Sequence, residues 1–211
     1  MSLFISFEGL DGSGKSTQAV MLAAELRARG LPVLETREPG STPLGERLRE
    51  LILDPGSPAP TPRAMALLLS AARAQLVEEV IRPALESGAT VITDRFADST
   101  IAYQSFGLGL NRDALEELTS FTTTGLRPGR VILVDIAPEI AMQRSKKRGD
   151  RDRLDAQTLA FHRRVRDGYQ YLAAGEPERW RRIDGAQSVE NVHRCVLVAV
   201  EPILCEKADA R

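Results

Sequence analysis

The chain has 211 residues, 43% hydrophobic and 27% charged, with a formal net charge of −1. That length suits one α/β domain spanning residues 1–211 with a sizeable core. The charge balance excludes a general nucleic-acid binder, and no apolar stretch approaches the roughly 18 residues of a membrane span. The N-terminus runs straight into an apolar segment without a basic leader or cleavage site, so a cytoplasmic protein with neither nucleic acid nor membrane as partner is expected.

Of the 28 basic residues only Lys15, Lys146, Lys147 and Lys207 are lysines. Arginine suits bidentate phosphate contacts, but its use also follows genomic base composition, and both readings stand. Cys195 and Cys205 are too far apart along one helical pattern to bridge each other, and no Cys/His cluster has metal-ligand spacing.

The apolar run Leu3 to Phe7 reads as a buried strand near 3–8, and it leads into Gly9-Leu10-Asp11-Gly12-Ser13-Gly14-Lys15-Ser16. These residues fit the pattern G-x-x-x-x-G-K-[ST] between a strand and a helix. The glycines let backbone N–H groups turn inward as an anion nest, Lys15 brings an ammonium to the outer phosphates, and the Ser16 hydroxyl can hold a magnesium ion. A helix over 16–29, with Thr17 in its first turn, points its positive end at the same anion. Binding of a nucleoside triphosphate is the implied chemistry.

Further strands are expected near 32–36, 90–94, 130–135 and 180–184, alternating with helical patterns, which implies a five-stranded parallel sheet covered on both faces. The last helix carries the stripe Val189, Val192, Val196, Val200 and Ile203, a packing face. In such sheets ligands bind beyond the carboxyl ends of the strands. Four of these ends carry charge besides the phosphate loop: Arg37 to Gly40, Asp94-Arg95-Phe96, Asp135 and Asp184.

The string Asp94-Arg95-Phe96-Ala97-Asp98-Ser99-Thr100-Ile101-Ala102-Tyr103-Gln104 resembles the thymidylate kinase signature D-R-[FYH]-x-x-S-[ST]-x-A-Y-Q. The resemblance extends over Phe7 to Gly12, Thr36 to Gly40, Ala71-Ala72-Arg73, Leu133 to Glu139, Arg144 to Gly149, Asp152 to Asp155 and Ile183 to Gly185. It implies a three-layer P-loop kinase fold, phosphorylation of dTMP by ATP with Mg²⁺, and a homodimer formed through long helices, 64–86 among them.

The resemblance assigns roles. Asp94 orders the magnesium shell, and Arg95 stands where the acceptor phosphate meets the donor, since transfer between two polyanions needs a cation between them. Asp135 is the rival carboxylate. Asp11 accepts from the 3′-hydroxyl of the acceptor sugar, Arg37 and Arg49 face the acceptor phosphate, and Arg73 donates to thymine O4. Tyr103 lies against the sugar, leaving little space for a 2′-hydroxyl, with Ser99 and Gln104 beside it. Leu69 stands where the family has a ring that stacks on the base. The resemblance also implies a cis Glu38-Pro39 bond.

Arg144, Lys146, Lys147, Arg148, Arg151 and Arg153 face only Asp150 and Asp152 in opposition. Beside a phosphate loop, this run reads as a short basic lid near 145–155. The phosphate loop carries no arginine, so the lid is expected to supply the transition-state cation, as in the bacterial type, with Arg148 first and Arg153 second. Arg144 is expected on the donor adenine, with Ala186 and Gln187 completing that pocket. A kinase for another nucleoside monophosphate and a nucleotide-dependent switch are the competing readings.

Overall fold

The computed structural model describes residues 3–148, 153, 154 and 157–209. Five strands form one parallel sheet in the order β2-β3-β1-β4-β5: β1 (Phe4–Glu8), β2 (Val33–Arg37), β3 (Thr90–Asp94), β4 (Arg130–Asp135) and β5 (Trp180–Asp184). The expected strands are met to within a residue or so at each end. Strand β2 reaches one residue further than expected and takes in Arg37.

Because successive side chains of a strand face opposite ways, the central strands supply two cores. Ile5 and Phe7 of β1, Ile92 of β3 and Ile132 and Val134 of β4 pack under helices α1 (Lys15–Ala28) and α9 (Val189–Asp209). Val131 and Leu133 face the other way, toward Phe161, Val165 and Tyr169 of α8 (Leu159–Gly175). The α9 stripe is narrower than the sequence suggested: Val192, Val196 and Val200 are buried, whereas Val189 is 47% exposed. Its place at the helix start explains this, and its carbonyl instead accepts a bond from Gln18 of α1.

The connecting helices begin where capping chemistry dictates. Thr42 caps α2 (Pro43–Leu53), Thr61 caps α3 (Pro62–Leu76), Asn111 caps α6 (Arg112–Thr123) and Thr158 caps α8, each side chain accepting a backbone N–H in the first turn. Proline follows the cap in α2 and α3, where its missing N–H costs nothing. Helix α3 runs through a π-helical segment, Val77–Ile81, into α4 (Arg82–Glu86), whose Pro83 cannot donate the regular helical bond. Helix α5 (Ala97–Thr100) passes into a second π-helical segment, Ile101–Gly107, carrying Tyr103 and Gln104. Helix α7 (Pro138–Arg148) follows β4 and contains the first residues of the expected lid. No described helix is long and apolar enough to cross a membrane.

Strand β1 lies between β3 and β4, and the chain leaves the two sides of β1 in opposite directions. The crevice that ligands use in open parallel sheets therefore opens above the end of β1, where the phosphate loop begins.

Candidate active site

The phosphate loop is shaped by its backbone. Gly9 has φ 140°, and a Cβ there would meet the Val134 carbonyl oxygen at 2.5 Å, so only glycine fits. Gly14 caps α1 in the left-handed conformation, with open space where a Cβ would point. No side chain caps α1 and no acidic residue lies in its first turn, so the N–H groups at this positive helix end stay available to an anion. Leu10 turns its side chain into the core, its carbonyl accepts the Ser13 N–H, and Thr17 is exposed.

Carboxylates and cations alternate beside the loop. Lys15 Nζ lies 3.0 Å from Asp11 Oδ1 and 3.9 Å from Asp94 Oδ1. Arg95 donates from Nη2 to Asp11 Oδ1 (2.8 Å) and the Tyr103 hydroxyl (2.9 Å), and from Nη1 to the Tyr169 hydroxyl (2.8 Å) and Ser99 Oγ (3.2 Å). Its guanidinium also stacks over the Tyr103 ring at 4.8 Å. Burial pushes the Asp11 carboxyl up, but Arg95 and Lys15 outweigh it and hold the group well below the usual carboxylate range. Asp11 Oδ2 accepts only the Tyr103 hydroxyl among described groups and keeps a lone pair for a further donor.

Ser16 Oγ bonds Asp94 Oδ2, while Asp94 Oδ1 is buried without a hydrogen-bond partner. A hydroxyl beside a carboxylate oxygen with spare capacity suits a hard cation that keeps most of its waters. No cluster of three potential His, Cys, Asp or Glu ligands exists among the described residues, so such an ion would depend on phosphate and water for its remaining bonds. Asp135 is engaged elsewhere, paired with Arg166 at 2.7 Å and Arg182 at 3.1 Å.

A cleft of about 790 Å³ opens from this cluster, lined by Asp11, Lys15, Arg37, Arg49, Leu69, Arg73, Arg95, Ser99, Thr100, Tyr103 and Gln104, among others. The sequence-predicted acceptor residues thus converge from four separate segments. Glu38-Pro39 is cis, and Arg49 donates to the Pro39 carbonyl at 2.9 Å. Arg37 is held by a bidentate pair with Glu46 on α2. Gln104 is buried, its amide 4.0 Å from the Met65 sulfur.

Two participants were missed in the sequence. Glu38 receives Arg73 Nε and Nη2 through three contacts of 2.7 to 3.1 Å, both side chains being buried. Burial pushes the Glu38 carboxyl up, against the pull of Arg73. This fork fixes the plane of Arg73 and leaves its Nη1 buried in the cleft lining without a partner. The Thr100 hydroxyl is likewise buried, unpartnered and part of the lining. The contacts link residues tens of positions apart, so only the [ST] of the signature hinted at Thr100.

On the donor side, Gly12 lies against Ala141 and Arg144 of α7, and Gly185 lies against the Ser13 carbonyl. Arg144 Nη1 donates to the Gly185 carbonyl at 2.9 Å, and Asp184 accepts the Ala186 N–H. Arg144 and Gly185 therefore border the phosphate loop, with Ala186 and Gln187 exposed directly after Gly185.

Two observations bear on the expected lid. Helix α7 continues through Ser145, Lys146 and Lys147 to Arg148, so the first expected lid residues are helical. Arg153 is not brought to the phosphate loop. Its backbone N–H bonds the Leu53 carbonyl at 3.0 Å, and Nη2 donates to the carbonyls of Asp54 (2.7 Å) and Ser57 (2.6 Å) on the acceptor side of the cleft. The free carbonyls following α2 draw the cation there. The Arg148 side chain and Arg151 lie outside the described residues.

Comparison with known proteins agrees with this geometry. The profile of the family described as "Thymidylate kinase" matches residues 7–196. A thymidylate kinase from Roseiflexus sp. is 47% identical, covering 97% of this chain and 96% of the relative. One from Deinococcus radiodurans is 48% identical, covering 94% and 96%. The crystal structure of thymidylate kinase from Ehrlichia chaffeensis superposes with a TM-score of 0.80 at 31% identity, covering 95% of this chain and 98% of that one.

Proposed function

The chain belongs to the thymidylate kinase family, and we propose how its residues divide the work of moving the γ-phosphoryl group of ATP to dTMP to give dTDP. The observation that carries this division is the place of Arg95, paired with Asp11 beside Lys15 of the donor loop, in the lining of a cleft that also takes in Arg37 and Arg49. A switch protein needs no second phosphate pocket.

In this reading the α1 N-terminus and Lys15 hold the donor phosphates, and Ser16 with Asp94, the latter through water, would hold a magnesium ion, which would offset the charge of the outer phosphates. Arg95, Arg37 and Arg49 offset the charge of the incoming dTMP phosphate and hold its oxygen in line. Asp11 Oδ2 accepts from the 3′-hydroxyl beside Tyr103. Arg73 Nη1 donates to thymine O4, and Thr100 Oγ1 accepts N3–H. Cytosine sets an amino donor against the Arg73 donor and leaves that buried N–H unsatisfied, whereas the Thr100 hydroxyl can turn and donate to its bare N3, so the discrimination rests on Arg73. Leu69 offers an apolar wall without a π face, and the base forgoes about 1 kcal/mol of stacking there.

We further propose a cytoplasmic homodimer. Leu67 of α3 and Phe121 of α6 are 58% and 80% exposed on two helices that pack together, and equilibrium sedimentation reads the assembly directly.

The test of function is ADP formation with dTMP, dUMP, dCMP, dGMP and AMP as acceptors. Turnover is expected with dTMP, more weakly with dUMP, and at background with the others; efficient use of dCMP or a purine nucleotide would refute the base pocket. Saturating dTMP without ATP should also raise the melting temperature, and an unmoved Tm would favour the switch reading.

The lid carries its own prediction. Arg148→Ala is expected to lower kcat by about 10- to 1,000-fold while changing dTMP affinity little, because a lid cation acts on the transferring group. Arg153→Ala should instead raise KM for dTMP about three- to tenfold with kcat nearly intact, since Arg153 ties down the Leu53–Pro55 wall of the acceptor cleft. A large kcat loss in Arg153→Ala with none in Arg148→Ala would reverse the two roles.

A further inference from the structure

Glu8, the last residue of β1, is fully buried and is not itself one of the residues lining the cleft, yet it is among the most connected acids among the described residues. Its Oε1 accepts the Phe96 N–H at 2.8 Å. Its Oε2 accepts the Ser99 hydroxyl at 2.6 Å and the Tyr169 hydroxyl at 3.0 Å. Those same two hydroxyls are the acceptors for Arg95 Nη1. Arg95 itself has φ 73°, a left-handed conformation that a non-glycine residue adopts at a cost. The turn is pinned by Arg95 N–H to the Phe7 carbonyl on one side and by Phe96 N–H to Glu8 on the other.

The polarity of these bonds decides what Glu8 does. A carboxylate only accepts, so the single proton of each hydroxyl goes to Glu8 or to the other hydroxyl, 2.8 Å away, and both oxygens present lone pairs to Arg95. An uncharged amide or carboxylic acid in its place could donate to a hydroxyl, turning that oxygen's proton toward the guanidinium and breaking the relay.

We infer that Glu8 is a positioning residue for Arg95, holding both the strained turn and, through the Ser99 and Tyr169 hydroxyls, the guanidinium that meets the acceptor phosphate. This inference rests on the proposed role of Arg95. The charged and titratable groups facing the site are Arg95 after β3, Asp98 on α5 with its partner Arg179, Tyr169 on α8, and Asp11 and Tyr103 across the guanidinium. Burial, then Asp98, pushes the Glu8 carboxyl up to about 7, against the pull of Arg95 and the bonds from Ser99 and Phe96. The relay is therefore complete above that pH and fails as the pH falls through it. A raised acid stabilises the fold most below its ordinary value of 4.5 and loses that contribution as pH rises toward 7, so removing the charge relieves a cost at pH 8.

The experiment compares the whole enzyme with Glu8→Gln and Arg95→Ala. Glu8→Gln keeps an acceptor for Phe96 but donates on its other side. At pH 8 its kcat/KM for dTMP is expected to fall about tenfold or more, with KM for ATP within twofold and Tm not lowered by more than about 3 °C. In the pH profile of kcat/KM, the wild type should lose activity as pH drops through about 7; the variant should lack that limb and keep only the one set by the substrate phosphate near pH 6. If Arg95→Ala is inactive while Glu8→Gln stays within twofold and keeps both limbs, Glu8 does not position Arg95 and the Arg95 role stands. If Arg95→Ala is itself active, the acceptor reading falls first. Should Glu8→Gln fail to fold, Ser99→Ala and Tyr169→Phe remain. Each should lower kcat/KM about three- to tenfold, and no loss in the double variant would overturn the relay.

Discussion

Arg95→Ala is expected to lower turnover by at least 100-fold, about 2.7 kcal/mol of transition-state stabilisation, while ATP affinity changes little. The guanidinium is largely buried, and four residues engage it from the loop after β1, α5, the π-helical segment and α8: Asp11, Ser99, Tyr103 and Tyr169 by hydrogen bonds, with Tyr103 also stacking through its ring. Such a cation costs no reorganisation when two phosphates meet, so its effect belongs to chemistry more than to donor binding. Arg95→Lys is a sharper probe. It keeps the charge but cannot fork between the Asp11 side and the Ser99–Tyr169 side, and should recover only a small part of the loss. Steady-state rates at saturating ATP and dTMP check both, and turnover within threefold of wild type in Arg95→Ala would remove Arg95 from the reaction.

The phosphate loop and the Asp94 to Gln104 string were legible because each is local: their residues act within a few positions of one another, next to a strand with an unmistakable apolar run. The parallel sheet was legible for the same reason, since strands buried on both faces read as continuous β-branched and aromatic stretches. What stayed hidden depends on chain segments meeting across the fold. Glu8 and Tyr169 are 161 positions apart, and Glu38 and Arg73 are 35 apart. No periodicity announces either pair, and each acid alone reads as an ordinary strand-end charge. The contacts of Arg153 were hidden for a related reason. A basic run shows that cations are near the site, whereas the acceptor each one finds depends on free carbonyls, here those of Asp54 and Ser57, supplied by a loop that the run itself does not reveal.

Lys15→Ala is expected to abolish most transfer, at least 100-fold in kcat, for a reason that differs from that for Arg95. Lys15 is buried at the first residue of α1 and sits between Asp11 and Asp94, so it separates two carboxylates that would otherwise face the same phosphates. Removing it takes away the ammonium on the outer phosphates and also leaves Asp11 with Arg95 as its sole cationic partner among the described residues. Donor affinity should therefore fall together with kcat, which separates this variant from Arg95→Ala. Stability gives an independent reading. The Asp11 carboxyl is held well below its ordinary value of 3.8, so its contribution is fully present above that pH and is lost as pH falls through the depressed folded value. Without Lys15 part of that depression goes, and the variant should melt below the wild type at pH 7, with the gap narrowing in strong acid where Asp11 is protonated in both. A gap that stayed constant down to pH 2 would mean that Lys15 stabilises the loop by packing alone, and turnover near wild type would mean that the donor phosphates do not meet it.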